Sequence, residues 1–295
     1  MRPAGLDAGS AYSKLVVLDE EFGLLGSAVA ENKGRAGGSR GRGRSSAAPA
    51  RDRRDGMIYH LGTSGWSYPG WRDLFYPSGL SSKDWLEFYA RQFRTVEINM
   101  TFYRFPKPET LKAWLERTPA DFVFTLKANR RITHLKKLKD VQAEVRYFYI
   151  LADSLGDRLG CILFQLPPSL TRDRALLEEF LSILSPNYRN VIEFRHESWY
   201  DDEILGLLRS RQIVFCVVSS LKVPHLVAET AETAYVRFHG LTGEHRYEYS
   251  NQELEDWAAE IKTLAARDCY IYFNNDYKAY AVANARRLAA LLGEA

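Results

Sequence analysis

The chain predicts a TIM-type (β/α)8 barrel behind a short N-terminal extension, and three observations carry that prediction. First, eight strand-like runs alternate with helical patterns over about 240 residues from Met57 onward. Second, the polar residues of several strands share one face. Val96-Glu97-Ile98-Asn99, Val191-Ile192-Glu193-Phe194-Arg195 and Tyr235-Val236-Arg237-Phe238-His239 each alternate apolar and polar, and successive strand side chains point to opposite sides. Ile98, Ile192, Phe194, Val236 and Phe238 suit a face covered by helices. Glu97, Asn99, Glu193, Arg195, Arg237 and His239 then converge inside. Third, the polar face argues against the alternative, a doubly wound open sheet, whose strands would be apolar on both faces.

The elements follow in order. Strands are expected at Ile58–Leu61, Thr95–Asn99, Phe122–Lys127, Cys161–Leu166, Val191–Arg195, Ile213–Val218, Ala234–His239 and Tyr270–Asn274. Ser82-Lys83-Asp84 opens a helix carrying Trp85, Leu86, Phe88, Tyr89 and Phe93. Pro108-Glu109 starts the next, with Pro at an early position that tolerates it and with Leu111, Trp114 and Leu115 at helical spacing. Further helices fit 140–155, 173–184, 201–211, 252–266 and 282–292. The stretch 219–233 contains Pro224 and has no helical pattern, so the helix after the sixth strand is expected to be short or missing.

Composition narrows the class. An apolar content of 46% with 26% charged residues is that of a globular chain. No run of about 18 apolar residues exists, so no transmembrane helix is expected. The N-terminus has no continuous apolar secretory segment. Cys161, Cys216 and Cys269 are far apart in apolar runs and read as reduced core residues, which implies a cytoplasmic protein. No CxxC pair, HExxH segment or cofactor motif is present.

The net charge of +3 belongs to the extension. Before Met57 there are ten Lys/Arg and seven Asp/Glu, and from Met57 onward thirty of each. Residues 32–56, rich in Gly, Arg, Ser and Ala, cannot bury enough surface to offset ordering entropy and are expected to be disordered. The chain is therefore divided into an extension, 1–56, and a barrel domain, 57–295. Nucleic-acid affinity is an expectation for the basic extension and not for the neutral barrel. A non-native extension ahead of a true start at Met57 is the leading account of the first segment.

Within the extension, Leu6-Asp7-Ala8-Gly9-Ser10, Lys14-Leu15-Val16-Val17-Leu18-Asp19 and Leu24-Leu25-Gly26-Ser27-Ala28-Val29 read as two short strands around an acidic turn. Residues 5–30 resemble the first phosphate hairpin of actin-like ATPases of the acyl-CoA dehydratase activator type. In that family the Asp-x-Gly-Ser turn contacts a nucleotide phosphate. The second phosphate loop and the adenosine site have no counterpart downstream, so no ATPase activity is expected.

In a barrel the C-terminal strand ends and the loops after them form the active face. Strand one leads into Gly62-Thr63-Ser64-Gly65-Trp66-Ser67-Tyr68. Strand two brings Glu97, Asn99 and Tyr103. Lys127 ends strand three, with His134 further on in a basic stretch, and Gln165 ends strand four ahead of Pro167-Pro168. Glu193, Arg195, His196 and Trp199 follow from strand five, Arg237 and His239 from strand seven, and Asn274, Asn275 and Asp276 from strand eight. An unpaired buried charge costs several kcal/mol or more, so such a cluster reads as a site.

The segments GTSGWSYPGW, FRTVEINMTFYRFP, FTLKANRRITHLKKLKD, LGCILFQLPPSL, NVIEFRHESWY, AYVRFHG and YIYFNND, in that order between residues 58 and 292, resemble the YecE-like family (domain of unknown function 72). The resemblance implies a TIM-type barrel and supplies no reaction. The extension before Met57 lies outside the family pattern.

The residues favour an enzyme working on a small anionic, phosphate- or carboxylate-bearing substrate. Glu97 and Glu193 are a candidate general acid/base pair and His239 a candidate proton-transfer group. Arg195 and Arg237 offer rigid forks for an anion, and Lys127 a further contact or, as a less favoured role, a Schiff-base amine. Asn99, Tyr103, Gln165, His196, Trp199, Asn274, Asn275 and Trp66 complete the expected substrate-binding set. Isomerisation, epimerisation or hydrolysis fits this set. Metal-assisted hydrolysis through Glu97, Glu193, His239 and Asp276 is the alternative, although the nearby arginines would repel a cation. Single-strand binding by interleaved aromatics and cations is a further alternative. A glycosidase pair of glutamates fits loosely, but the arginines favour an anionic sugar over a neutral one.

Overall fold

The structure, a computed structural model, describes residues 56–294 and the backbone of two strands, β1 (Tyr12–Val17) and β2 (Gly26–Glu31). The chain divides into two units between Gly56 and Met57. In the first unit β1 pairs antiparallel with β2, Tyr12 opposite Glu31 and Val17 opposite Gly26. The turn between them, the Asp-x-Gly-Ser turn ahead of them and the segment expected to be disordered lie outside the described residues.

The second unit alternates strands and helices. In order they are β3 (Ile58–Thr63), α1 (Trp85–Ala90), β4 (Thr95–Ile98), α2 (Met100–Tyr103), α3 (Pro108–Glu116), β5 (Val123–Lys127), α4 (Gln142–Ala152), β6 (Leu159–Gln165), α5 (Arg174–Ser182), β7 (Arg189–Glu193), α6 (Asp202–Ser210), β8 (Val214–Ser219), β9 (Thr233–Phe238), α7 (Asn251–Ile261), β10 (Asp268–Phe273) and α8 (Tyr280–Leu292). The eight strands β3–β10 are parallel and hydrogen-bonded in the order β3-β10-β9-β8-β7-β6-β5-β4. This is the expected TIM-type (β/α)8 barrel, nearly closed.

Local chemistry sets the helix starts. Asp173 accepts from Leu176 N and Asp201 from Ile204 N. Ser250 and Glu253 exchange the two bonds of a capping box. Pro108 sits at the first turn of α3. The expected helix at Ser82 begins as a 3-10 turn, Ser82–Asp84, before α1. No helix separates β8 from β9, as expected. There Thr230 substitutes for one: its hydroxyl accepts from Phe215 N at 2.7 Å and donates to Ile213 O at 2.6 Å.

Two packed layers result. Ile98, Ile192, Phe194, Val236 and Phe238 face the helices and are buried with residues such as Trp114, Phe180 and Trp257. The lumen holds a smaller cluster, among them Cys161, Leu163, Val191, Cys216, Tyr235 and Tyr272. All three cysteines are buried and unbonded to one another. Tyr272 spans the lumen: its hydroxyl lies 2.7 Å from Thr95 Oγ1 and 2.9 Å from Thr125 Oγ1. It floors the polar site above.

The ring is least complete between β3 and β4, which share no backbone ladder among the described residues. The Tyr89 hydroxyl bridges this seam, accepting from Thr63 N at 2.9 Å and donating to Thr95 O at 3.1 Å. The backbones approach so closely that a Cβ on Gly62 would lie 2.3 Å from Thr95 O. Only glycine fits there. Among the described residues no helix is long and apolar enough to cross a membrane.

Candidate functional site

Strand parity delivers charged side chains to the C-terminal end of the lumen. Glu97, Glu193 and Arg237 are essentially inaccessible, with side-chain exposures of 0%, 0% and 1%. Arg237 holds the two carboxylates together. Its Nη2 donates to Glu97 Oε1 at 2.7 Å and its Nη1 to Glu193 Oε2 at 2.5 Å. Tyr235, two residues earlier on the same face of β9, donates to Glu97 Oε2 at 2.5 Å. Both oxygens of Glu97 are thus occupied.

Glu193 is the hub. Besides Arg237 it accepts at Oε1 from Gln165 Nε2 at 2.9 Å and Arg195 Nη1 at 3.0 Å. Burial alone would raise its pKa, but Arg237, His239 and Arg195 hold it well below the usual carboxylate range. The same two carboxylates push Arg237 upward against its burial. His239 Nε2 lies 3.0 Å from Glu193 Oε1, 2.8 Å from Arg195 Nη1 and 3.2 Å from Arg237 Nη1. Asn274 Nδ2 can only donate to Nδ1, which leaves the proton on Nε2, where it is given to Glu193 Oε1. Burial lowers the His239 pKa to about 4, with the arginines adding to the effect and Glu193 opposing it. The imidazole is neutral at physiological pH. Asn274 Nδ2 lies 3.4 Å from its Nδ1.

Lys127 differs from the other cations. No carboxylate lies within ion-pairing distance of it among the described residues. Its Nζ sits 4.3 Å from the centre of the Phe102 ring. Burial, and then Arg237, lower its pKa to about 8, against the opposing pull of Glu193 and Glu97. On the Phe102 ring His134 packs edge-on, with centroids 4.8 Å apart. Burial and Lys127 lower the His134 pKa to about 4. His134 is placed by a π-helical turn, Arg131–Leu135, in which Lys136 N donates to Arg131 O at 3.0 Å.

The remaining expected residues divide. Gln165 and Asn274 join the network. His196 lies at the rim with Arg195, Lys222 and Pro168 around a depression of about 330 Å³. Its Nδ1 accepts from Ser198 N at 3.2 Å. Asn99 ties the seam, donating to Ser64 O at 3.2 Å. Trp66 stands edge-on to Trp114, centroids 5.7 Å apart, lining a groove beside α1 and α3 rather than the network. Tyr103 is 67% exposed and touches Phe102 edge-on.

Two expected contacts turn away from the site. Trp199 is fully buried behind the sheet, stacked on Phe194 at 4.9 Å with its indole N–H on Leu170 O. The reason is the 3-10 turn Glu197–Trp199, which folds back on the outer face of β7. Asn275 follows inward-facing Asn274 and so points outward, donating to Tyr247 O and Asn284 Oδ1, both at 2.8 Å.

Tyr235 and Phe102 belong to the site but not to the expected set, whereas His134, in its basic stretch, is already expected on the active face. Parity with Arg237 could have found Tyr235. Phe102 rides on the one-turn helix α2, which has no periodic signal. For a metal, no group of three or more His, Cys, Asp or Glu side chains among the described residues is gathered to hold an ion.

Comparison with known proteins agrees with this architecture. The family described as protein of unknown function DUF72 matches residues 60–295. The UPF0759 protein YunF of Bacillus subtilis is 26% identical over 271 residues, 80% of this chain and 95% of that protein. The UPF0759 protein YecE of Escherichia coli K12 is 36% identical over 145 residues, 49% of this chain and 50% of its own length. A crystal structure of a DUF72 family protein from Thermotoga maritima superimposes with a TM-score of 0.75 at 32% identity, covering 81% of this chain and all of that one. With this barrel, this run of motifs and these relatives, the chain belongs to the DUF72 (UPF0759, YecE-like) family.

Proposed function

We propose that the barrel mouth binds a small substrate bearing a phosphate or carboxylate and carries out proton-transfer chemistry on it. The observation that supports this is the charge balance. Among the described residues Arg195 and Arg237 pair with Glu97 and Glu193, Lys127 has no carboxylate partner, and His239 is neutral. One positive charge is left over in a place where an unneutralised charge is costly. Arg237 is committed to both carboxylates. The surplus rests with Arg195 and Lys127. Only Nη1 of Arg195 is taken up, by Glu193 and His239. The rest of its fork suits a bidentate anion.

The chemistry divides the roles differently from the sequence expectation. Glu193 is held ionised by its donors, and Glu97 is fully buried with Tyr235 and Arg237 on its two oxygens. Both serve best as anchors that fix the arginines. Burial brings the Lys127 amine down to about 8, within reach of neutrality, so it is the proton carrier in this reading.

A thermal-shift series on the full chain tests it. Inorganic phosphate, small organic acids and phosphosugars should raise the melting temperature, because a ligand at 100 times its Kd adds about 2.7 kcal/mol. Neutral sugars should not, and Arg195→Ala should remove the anion effect. Equal stabilisation by neutral sugars, or none by any anion, would reject the reading.

A further inference from the structure

We propose that Lys127 is a carbonyl-trapping amine that forms a covalent imine with an aldehyde or ketone carrying an anionic group. The inference rests on the anion-binding reading of the mouth and names its substrate class. Three geometric facts carry it. Lys127 ends β5 and projects into the charged mouth, where its neighbours' charges act on it. Among the described residues no carboxylate pairs with it. Its amine is buried with the Phe102 ring on one side, and the loss of water on burial outweighs the ring's attraction for the ammonium. A lysine placed only to bind an anion has no need of such a wall, whereas an amine that must shed its proton and attack does.

The groups around it come from every side of the mouth. The charges of Glu97 from β4, Glu193 and Arg195 from β7 and its end, and Arg237 from β9 act on it, and it acts in turn on His134 in the π-helical turn. Arg195 stands where it can hold the anionic end of the same molecule.

The step balances without an outside oxidant or reductant. The neutral Nζ attacks the carbonyl carbon and forms a C–N bond. The carbonyl oxygen takes a proton, giving a carbinolamine. Loss of that hydroxyl with the second amine proton releases one water and leaves the C=N bond. Hydrolysis reverses each step.

The test is reductive trapping on the full chain with glyoxylate, a carboxylate-bearing aldehyde, and cyanoborohydride, followed by peptide mapping. The expected result is modification of Lys127 ahead of exposed lysines such as Lys112 and Lys262. Its rate should rise with pH around a midpoint near 8 and not near 10.5. Phe102→Ala, which admits water to the amine, should slow the labelling several-fold at neutral pH. Glycolaldehyde, a neutral aldehyde of similar size, should label Lys127 more slowly than glyoxylate. Exposed lysines labelled with Lys127 untouched would overturn the proposal. If phosphate still raised the melting temperature in that case, the anion site would stand and only the imine would fall. Equal labelling by the two aldehydes would overturn the anionic requirement.

Discussion

At the end of β5 a lysine faces an aromatic ring with no ion-paired carboxylate among the described residues, and this has a price in stability. The Lys127 pKa falls from 10.5 unfolded to about 8 folded. At neutral pH folding therefore places a charge where it is disfavoured, by about 3 kcal/mol at 1.36 kcal/mol per pKa unit. Lys127→Met keeps the length of the side chain and removes the charge. It should raise stability by about 2–3 kcal/mol in urea unfolding while abolishing any trapping chemistry. A destabilised variant would mean that the amine has a partner in solution. Residues of this kind were partly legible in the chain. The period of two placed Glu97, Glu193, Arg195, Arg237 and His239 on one face, and the structure joins all of them. What parity could not supply was the distribution of protons. That depends on which carboxylate touches which arginine across the lumen, pairs separated by as many as 140 residues.

Among the elements, the seam between β3 and β4 and the π-helical turn carry consequences of their own. At the seam side chains replace a strand ladder, the Tyr89 hydroxyl at its centre and Asn99 at its end. Tyr89→Phe should leave Thr63 N and Thr95 O without that partner and cost about 1–3 kcal/mol. Gly62→Ala drives a methyl group into the Thr95 carbonyl and should cost a similar 1–3 kcal/mol. Chemical unfolding of each variant checks both, and a neutral Gly62→Ala would show that the two strands can move apart. The π-helical turn is tied down by Glu144, which accepts from Arg131 Nε at 3.1 Å and pairs with Lys136 Nζ at 2.8 Å. Strand and helix positions were readable because apolar periods and caps are local: Asp173 and Asp201 open the expected helices and cap α5 and α6. The π-helical turn and α2 were not, since neither has a period long enough to register. Trp199 looked like a site residue for the same reason, because a single 3-10 turn decides which way it faces.

For the whole molecule, the buried network predicts acid sensitivity. The His239 imidazole takes a proton near pH 6.5 in the unfolded chain and only near pH 4 in the folded one. Unfolded chains bind that proton first on acidification. The stability linked to His239 is therefore full above pH 6.5 and is lost as pH falls towards 4, by on the order of 3 kcal/mol. Urea unfolding across that window should show the decline, and His239→Gln should flatten it. An unchanged slope in the variant would place the titration elsewhere. The division between a basic extension and a neutral barrel was legible from charge counts alone, as was the barrel from eight repeated strand-helix units. Closure by β10 beside β3 follows from the barrel assignment alone, because it joins the two ends of the second unit and no local pattern records it. The Arg237 bridge has one more consequence, for how such a sequence can drift. Removing one member of a buried ion pair costs about 3–5 kcal/mol, whereas replacing the whole set with well-packed apolar residues is often neutral. Glu97, Glu193 and Arg237 therefore form a lock in sequence space: any single step falls into a valley about as deep as a small domain's whole margin of stability, and only a coordinated change at three distant positions reaches the far side.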